Sequence, residues 1–382
     1  MAKNILLALC STLLLFTSLE VGLFYYLPHL PLKYHVYLSR LHRPLAQDFK
    51  RGTLPLQYTA LFGDSYAQGM GGWLETEDQT FKQGLHTAAI LHKKLKSDFI
   101  TFGEGGLGSL TGLLNRPYHL IRESQKHWGH SLNDPKNILL LFYGGNDLNN
   151  NLAELKSFGG DSRSLAAVIE ESVISNKDFL SEYGEEKILS WFNFSIALPF
   201  FGKLLKERLG VVNLNSPAAP VKEAAKIKTR ALIADQEVQL PDFLQSPALD
   251  LSVPQKEKAL AVFVATVERL KKEFPNSKIG ILYIPSVLGC YQMVGEQVSI
   301  EVYQKGGESY HSVSKLREGR DYLASRMAKL ASDLELPFVD AGVGLRKVAR
   351  QKLIHGPSDW HHFNNAGYRQ LSLSAELLLG KL

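Results

Sequence analysis

The sequence predicts an α/β protein: an open parallel sheet in one domain with a large helical insertion, behind an N-terminal apolar helix. Three observations carry this. Asn137–Tyr143 reads Asn-Ile-Leu-Leu-Leu-Phe-Tyr, a nearly continuous apolar run of strand length, the pattern of a strand covered on both faces and so central in a parallel sheet. Further apolar runs at 57–62, 99–102, Lys278–Ile284 and 337–340 alternate with stretches of helical spacing, as crossover connections between parallel strands require. The first three of these strands each run into glycine and polar side chains, and the carboxyl ends of the strands are where an open parallel sheet carries its site.

Length and composition bound the rest. At 382 residues the chain exceeds one ordinary domain of about 150 residues, but one α/β domain with an insertion accounts for it. The 43 Lys and Arg against 38 Asp and Glu leave a net charge of +5, with no basic run interleaved with aromatics, so nucleic acid is excluded as an expected partner. Only Cys10 and Cys290 are present, which rules out a disulfide framework or a cysteine-based zinc site, and no motif calls for another metal or a cofactor.

Residues 5–27 carry Glu20 as their only charge, enough for a helix of ~34 Å that can span a bilayer. Residues 5–19 behind Lys3 would also serve as a signal-peptide core, but Glu20-Val21-Gly22 is a poor cleavage site, so an uncleaved anchor is expected over residues 1–30. Leu9 stands where a lipoprotein signal carries a small residue, which argues against a lipid on Cys10. Tyr25 and Tyr26 fall where an interfacial aromatic belt belongs. Lys33, Arg40 and Arg43 after the helix oppose an extracytoplasmic body by positive-inside counting, whereas the short N-terminal stub has the form of an export signal. The expectation is a membrane-anchored protein with its body outside the cytoplasm, in a periplasm or at the cell surface. Residues 31–56, with Pro31, Pro44 and Pro55, read as a linker, and 57–382 as the α/β domain.

Ser65 lies in Leu61-Phe62-Gly63-Asp64-Ser65-Tyr66-Ala67, just past the first strand, where a tight turn exposes it at the sheet edge and a following helix aims its first N–H groups back. A helix is expected at 83–95. After the second strand, Gly103-Glu104-Gly105-Gly106-Leu107-Gly108-Ser109 packs four glycines into seven residues, a turn able to bring backbone N–H groups to a ligand. It lacks the Lys-Ser/Thr that closes a P-loop. The third strand ends in Gly144-Gly145-Asn146-Asp147, where the Asn146 amide can donate. From about 150 to 255 strand periodicity is lost; helical patches at 165–174 and 221–233 suggest an inserted lid. Helices follow at 256–274 and 313–334, with 286–312 read as an irregular loop.

The last motif is Ser358-Asp359-Trp360-His361-His362-Phe363-Asn364-Asn365-Ala366-Gly367-Tyr368, before a C-terminal helix. A carboxylate three residues before a histidine can accept its Nδ1–H and fix the tautomer in which Nε2 takes a proton from a serine. In a loop, residue i+3 folds back over residue i more readily than i+2, so His362 is expected as the base and His361 at the rim.

These four blocks, in this order, resemble the SGNH, or GDSL-like, hydrolase family. The resemblance covers 57–149 and 256–380 and implies a three-layer α/β/α sandwich with a flavodoxin-like, five-stranded parallel sheet. It implies Ser65 as nucleophile, Asp359 and His362 as acid and base, and an oxyanion hole of Ser65, Gly106 and Asn146, with Gly103 and Gly105 competing for the place of Gly106. The chain departs from the family at Tyr66, where Leu is usual and only apolar packing is expected, at Thr101, where many members have Asn, and at Phe363, where Pro is frequent. The activity implied is hydrolysis of an O-acyl ester of a small molecule, carbohydrate or lipid through an acyl-serine intermediate. One alternative is an O-acyltransferase acting on a cell-surface polysaccharide. Another is a non-catalytic carbohydrate-binding protein, against which an oriented base argues.

Overall fold

The computed structural model describes residues 2–72, 86–126, 132–160, 163–174, 195–209, 227–303 and 307–382. Five parallel strands form the main sheet: β1 (Thr59–Phe62), β2 (Phe99–Thr101), β3 (Asn137–Tyr143), β6 (Lys278–Ile284) and β10 (Phe338–Asp340), ordered β10-β6-β3-β1-β2. Counting only these five, the order is 2-1-3-4-5, the doubly wound flavodoxin-like arrangement, with its switch point between β1 and β3.

Alternation along each strand feeds two cores. Ile138, Leu140 and Phe142 of β3 face the helices Arg116–Lys126, Asp147–Ser157, Leu165–Ile174, Val253–Glu273 and Val313–Asp333. Leu139, Leu141 and Tyr143 face Gly342–Ala349, Asn365–Leu379 and a helix whose described part is Thr87–Leu95; residues 83–85 of the expected helix lie outside the described residues. The chain is therefore the expected three-layer sandwich.

The apolar helix, Ala2–Tyr26, projects from this body, and most of its leucines are exposed. Residues 31–56 are not the linker expected of them. Leu38, Leu45 and Phe49 are buried, and Gln47 exchanges two hydrogen bonds of 2.8 Å with the Thr101 backbone, one in each direction. With the Phe99 N–H donating to the Phe49 carbonyl, this segment satisfies the free side of β2. An edge strand needs such a cover, and proline-broken chain can supply it without itself becoming a strand.

The region read as a helical lid is also more mixed. The Leu165–Ile174 helix is present, but it buries Val168, Ile169 and Val173 in the first core. Where 221–233 was expected as helix, the described part instead gives β4 (Arg230–Ile233), paired antiparallel with β5 (Gln236–Gln239); 221–226 lie outside the described residues. Ala234 and Asp235 between them both have positive φ, the backbone of a hairpin turn matched to strand twist, without the Asn-Gly that announces it in sequence. The loop at 286–312 likewise holds β7 (Gln292–Val294), which completes a three-stranded sheet with β4, and the hairpin of β8 (Gln297–Glu301) and β9 (Glu308–Ser312).

Candidate active site

Ser65 opens a one-turn helix, Ser65–Gln68, at the carboxyl end of β1. Asp64 caps that turn by accepting from the Tyr66 N–H at 2.9 Å, and it accepts from Ser65 Oγ at 3.2 Å. Gly63 has φ +153°, and a Cβ there would lie 2.9 Å from the Leu141 carbonyl, so glycine is needed where β1 turns beside β3. Thr101 ties the second strand end to the same turn. Its hydroxyl donates to the Ala67 carbonyl and accepts from the Gly103 N–H.

The glycine turn lies against Ser65–Gln68. Gly103 packs directly on its backbone, and a Cβ on Gly105 would be 3.6 Å from Ser65 Cβ. The Gly105 N–H is taken by Gln68 Oε1 at 2.7 Å, whereas Gly106, at φ +77°, is an exposed residue whose N–H has no partner among the described residues. Past the carboxyl end of β3, Asn146 is buried at the start of the Asp147–Ser157 helix; its Nδ2 donates to Tyr303 Oη at 3.3 Å and its Oδ1 has no partner among the described residues.

The histidine loop reaches this place from the far end of the chain. Asp359 Oδ2 accepts from His362 Nδ1 at 2.6 Å, while its Oδ1 accepts the N–H groups of His361 and His362 at 2.9 and 3.2 Å. Burial raises the Asp359 pKa, but the hydrogen bond and charge of His362 outweigh it and hold the carboxyl below its ordinary value. His361 points elsewhere, with Nδ1 4.0 Å from Glu301 on β8. Asn364 anchors the loop: its Oδ1 caps the C-terminal helix, and its Nδ2 donates to the carbonyls of Leu353 and His355.

Tyr66 joins the two halves. It is fully buried, its hydroxyl donates to the His361 carbonyl at 2.9 Å, and its ring lies 5.5 Å from the His362 ring, 4.9 Å from Phe363 and 4.4 Å from Tyr143. The expectation of indifferent apolar packing at this position therefore falls short. Two of the three departures, Tyr66 and Phe363, pack on each other, a pairing that only the folded chain makes visible. The structure thus brings the Asp359–His362 pair to the residue next to Ser65, while the Ser65 hydroxyl itself is turned to Asp64 and not to His362.

Two buried carboxyls sit beneath the site. Burial pushes the Asp64 pKa up, opposed by the Tyr66 N–H and the charge of His362. Burial, and then the charge of Asp64, push Asp147 well above the ordinary range. Among the described residues no cluster of three or more His, Cys, Asp or Glu side chains is placed to hold a metal ion. A cavity of about 350 Å³ beside Phe24, Lys50 and Leu54 shares no residue with this site.

No family model matches the chain, and no curated protein matches it. Solved structures with a similar layout include an extracellular lipase from Streptomyces rimosus, at 12% identity and a TM-score of 0.40, covering 85% of this chain and 98% of that one. A phospholipase A1 from Streptomyces albidoflavus gives 13% identity, a TM-score of 0.35, and coverage of 85% and 98%. An acetyl xylan esterase from Butyrivibrio proteoclasticus gives 11%, 0.34, and coverage of 86% and 65%. At such identities and TM-scores nothing about this chain's activity follows from them.

Proposed function

We propose that this protein is a serine ester hydrolase of the SGNH type, anchored in a membrane by its N-terminal helix with the catalytic body outside the cytoplasm, acting on an O-acyl ester of a small molecule, carbohydrate or lipid. The observation that carries the reading is the 2.6 Å contact between Asp359 and His362 Nδ1, on a loop bonded to the neighbour of a buried Ser65. A carboxylate on Nδ1 leaves Nε2 unprotonated and able to serve as a base.

In this mechanism the Ser65 hydroxyl swings from Asp64 to His362. Oγ attacks the ester carbonyl as its proton passes to Nε2. The oxyanion is held by the N–H groups of Ser65 and Gly106 and by Asn146 Nδ2, once the carbonyl oxygen displaces the Tyr303 hydroxyl. Collapse breaks the bond to the alcohol, which leaves with the proton from His362. Water then attacks the acyl-Ser65 carbonyl as one of its protons passes to His362, and collapse breaks the bond to Oγ, which takes that proton back from His362 as the acid leaves.

The test combines p-nitrophenyl acetate hydrolysis with mapping of a fluorophosphonate adduct. Ser65→Ala should lower kcat by a factor on the order of 10⁴ and abolish the adduct, and His362→Ala should cost a factor on the order of 10³ or more. His361→Ala should keep most of the turnover and change KM instead. An adduct on another serine, or full activity in Ser65→Ala, would remove the assignment.

A further inference from the structure

We propose that the helix Ala197–Arg208 is a second membrane contact, lying along the bilayer surface beside the N-terminal helix and held at that depth by Glu20. The occupant of its exposed face is lipid. The inference rests on the membrane reading of Ala2–Tyr26 but not on the assignment of the active site.

Glu20 is the only charge within the apolar run, and it does not face outward. Its carboxylate accepts from Ser195 Oγ, from the Ile196 N–H at 2.8 Å and from the Ala197 N–H at 3.1 Å, so it caps the first turn of Ala197–Arg208. A carboxylate at a helix N-terminus satisfies donors that the helix cannot satisfy itself. Toward the same end of the apolar helix, Leu23 and Phe24 pack on the first core, and the Phe24 carbonyl accepts from Thr53 Oγ1 at 2.9 Å. The last two turns are therefore built into the body. Glu20 lies six residues before Tyr26, or ~9 Å along the helix, so a bilayer spanned by the preceding apolar turns brings its surface to the level of Ser195–Ala197.

The helix started there is shaped for that surface. Its inner side buries Ala197 and Phe200, the latter 5.8 Å from Tyr37, and Lys203 donates to the Leu38 carbonyl. Leu198, Phe201, Leu205 and Leu209 are between 37% and 68% exposed. At 100° per residue these four fall within about 80° of one another, with Lys206 on one flank and Arg208 on the other. A narrow apolar stripe between two cations is the pattern of a helix lying in a lipid interface. The stripe also starts one residue past the Glu20 cap, which ties it to the N-terminal helix.

The test uses the full chain with Cys10→Ser, reconstituted into vesicles of phosphatidylcholine and phosphatidylglycerol. An environment-sensitive fluorophore is placed on Leu205→Cys or, as control, on Leu373→Cys, an exposed leucine on the helix over the other sheet face. Lipid carrying a shallow nitroxide should quench the Leu205 label at least twofold more than the Leu373 label. Glu20→Ala should reduce that quenching while the chain stays membrane-bound. Equal quenching at the two sites overturns the proposal. So does a blue-shifted Leu205 label that lipid does not quench, since a protein would then cover the stripe; unchanged quenching in Glu20→Ala overturns the role of Glu20.

Discussion

Tyr66 and His361 stand 295 positions apart, and one hydrogen bond between them ties the serine turn to the backbone that precedes His362. Tyr66→Phe keeps the ring and deletes only that donor. It should cost about 1 kcal/mol of stability, the net worth of one hydrogen bond, and lower kcat about tenfold with little change in KM, measured by thermal unfolding and steady-state turnover. His355, a few residues upstream, is a separate matter of stability. It is buried with Nδ1 on Tyr291 Oη at 2.9 Å and Nε2 without a partner, and burial lowers its pKa to about 3. Between that value and 6.5 the unfolded chain holds a proton that the folded chain refuses, so this group removes stability as pH falls through that window. His355→Gln should be less stable at pH 7, yet its deficit against the parent should shrink by about 1 kcal/mol per pH unit from pH 6 to pH 4, by denaturant unfolding. Asp64 and Asp147, whose raised values act with the opposite sign, are common to both proteins and cancel in the difference.

Among the elements, the Ser65–Gln68 turn and the glycine turn act as one unit. A Cβ on Gly103 would lie 2.4 Å from the Gln68 nitrogen and 2.6 Å from the Ala67 carbonyl carbon, both backbone atoms that cannot rotate away. Gly103→Ala should therefore cost on the order of 2 kcal/mol and, by shifting Ser65, about a hundredfold in kcat. Gly106→Ala meets nothing within 4 Å, so its effect should be confined to the strain of its φ of +77°. Thermal midpoints and turnover of the two variants separate these outcomes. The hairpin of β8 and β9 belongs to the same scale: it brings Glu301 toward His361 and leads to Tyr303 on Asn146. Its strands are short and only partly apolar, which is why the region read as a loop.

For the molecule as a whole, the N-terminal helix, long and apolar enough to cross a membrane, is also a structural part of the body. A chain starting at Glu20 keeps the cap on Ala197–Arg208 and the packing of Leu23, Phe24 and Leu27. A chain starting at residue 31 loses all of these. The first should unfold within about 1 °C of the full chain, and the second should fall by roughly 3 °C or more, since about 2 kcal/mol or more of burial and capping is lost. Equal melting of the two would show that the docked turns add nothing to the body.

Legible in the chain alone were the five parallel strands, through short apolar runs such as Asn137–Tyr143 that alternate with helical spacing, and the blocks Gly-Asp-Ser and Gly-Gly-Asn-Asp at strand ends with Asp-x-x-His before the last helix, because these are local patterns. The apolar length of 5–27 was equally legible. Tertiary structure alone decided that residues 31–56 cover the free side of β2, because edge protection is set by a partner and not by proline content. It alone decided the hairpin at Ala234 and Asp235, whose positive φ values carry no glycine or asparagine to mark them. It also gave Tyr66 and Phe363 their meaning: each reads as a lone departure along the chain, and they become a contact when the last loop closes on the first strand.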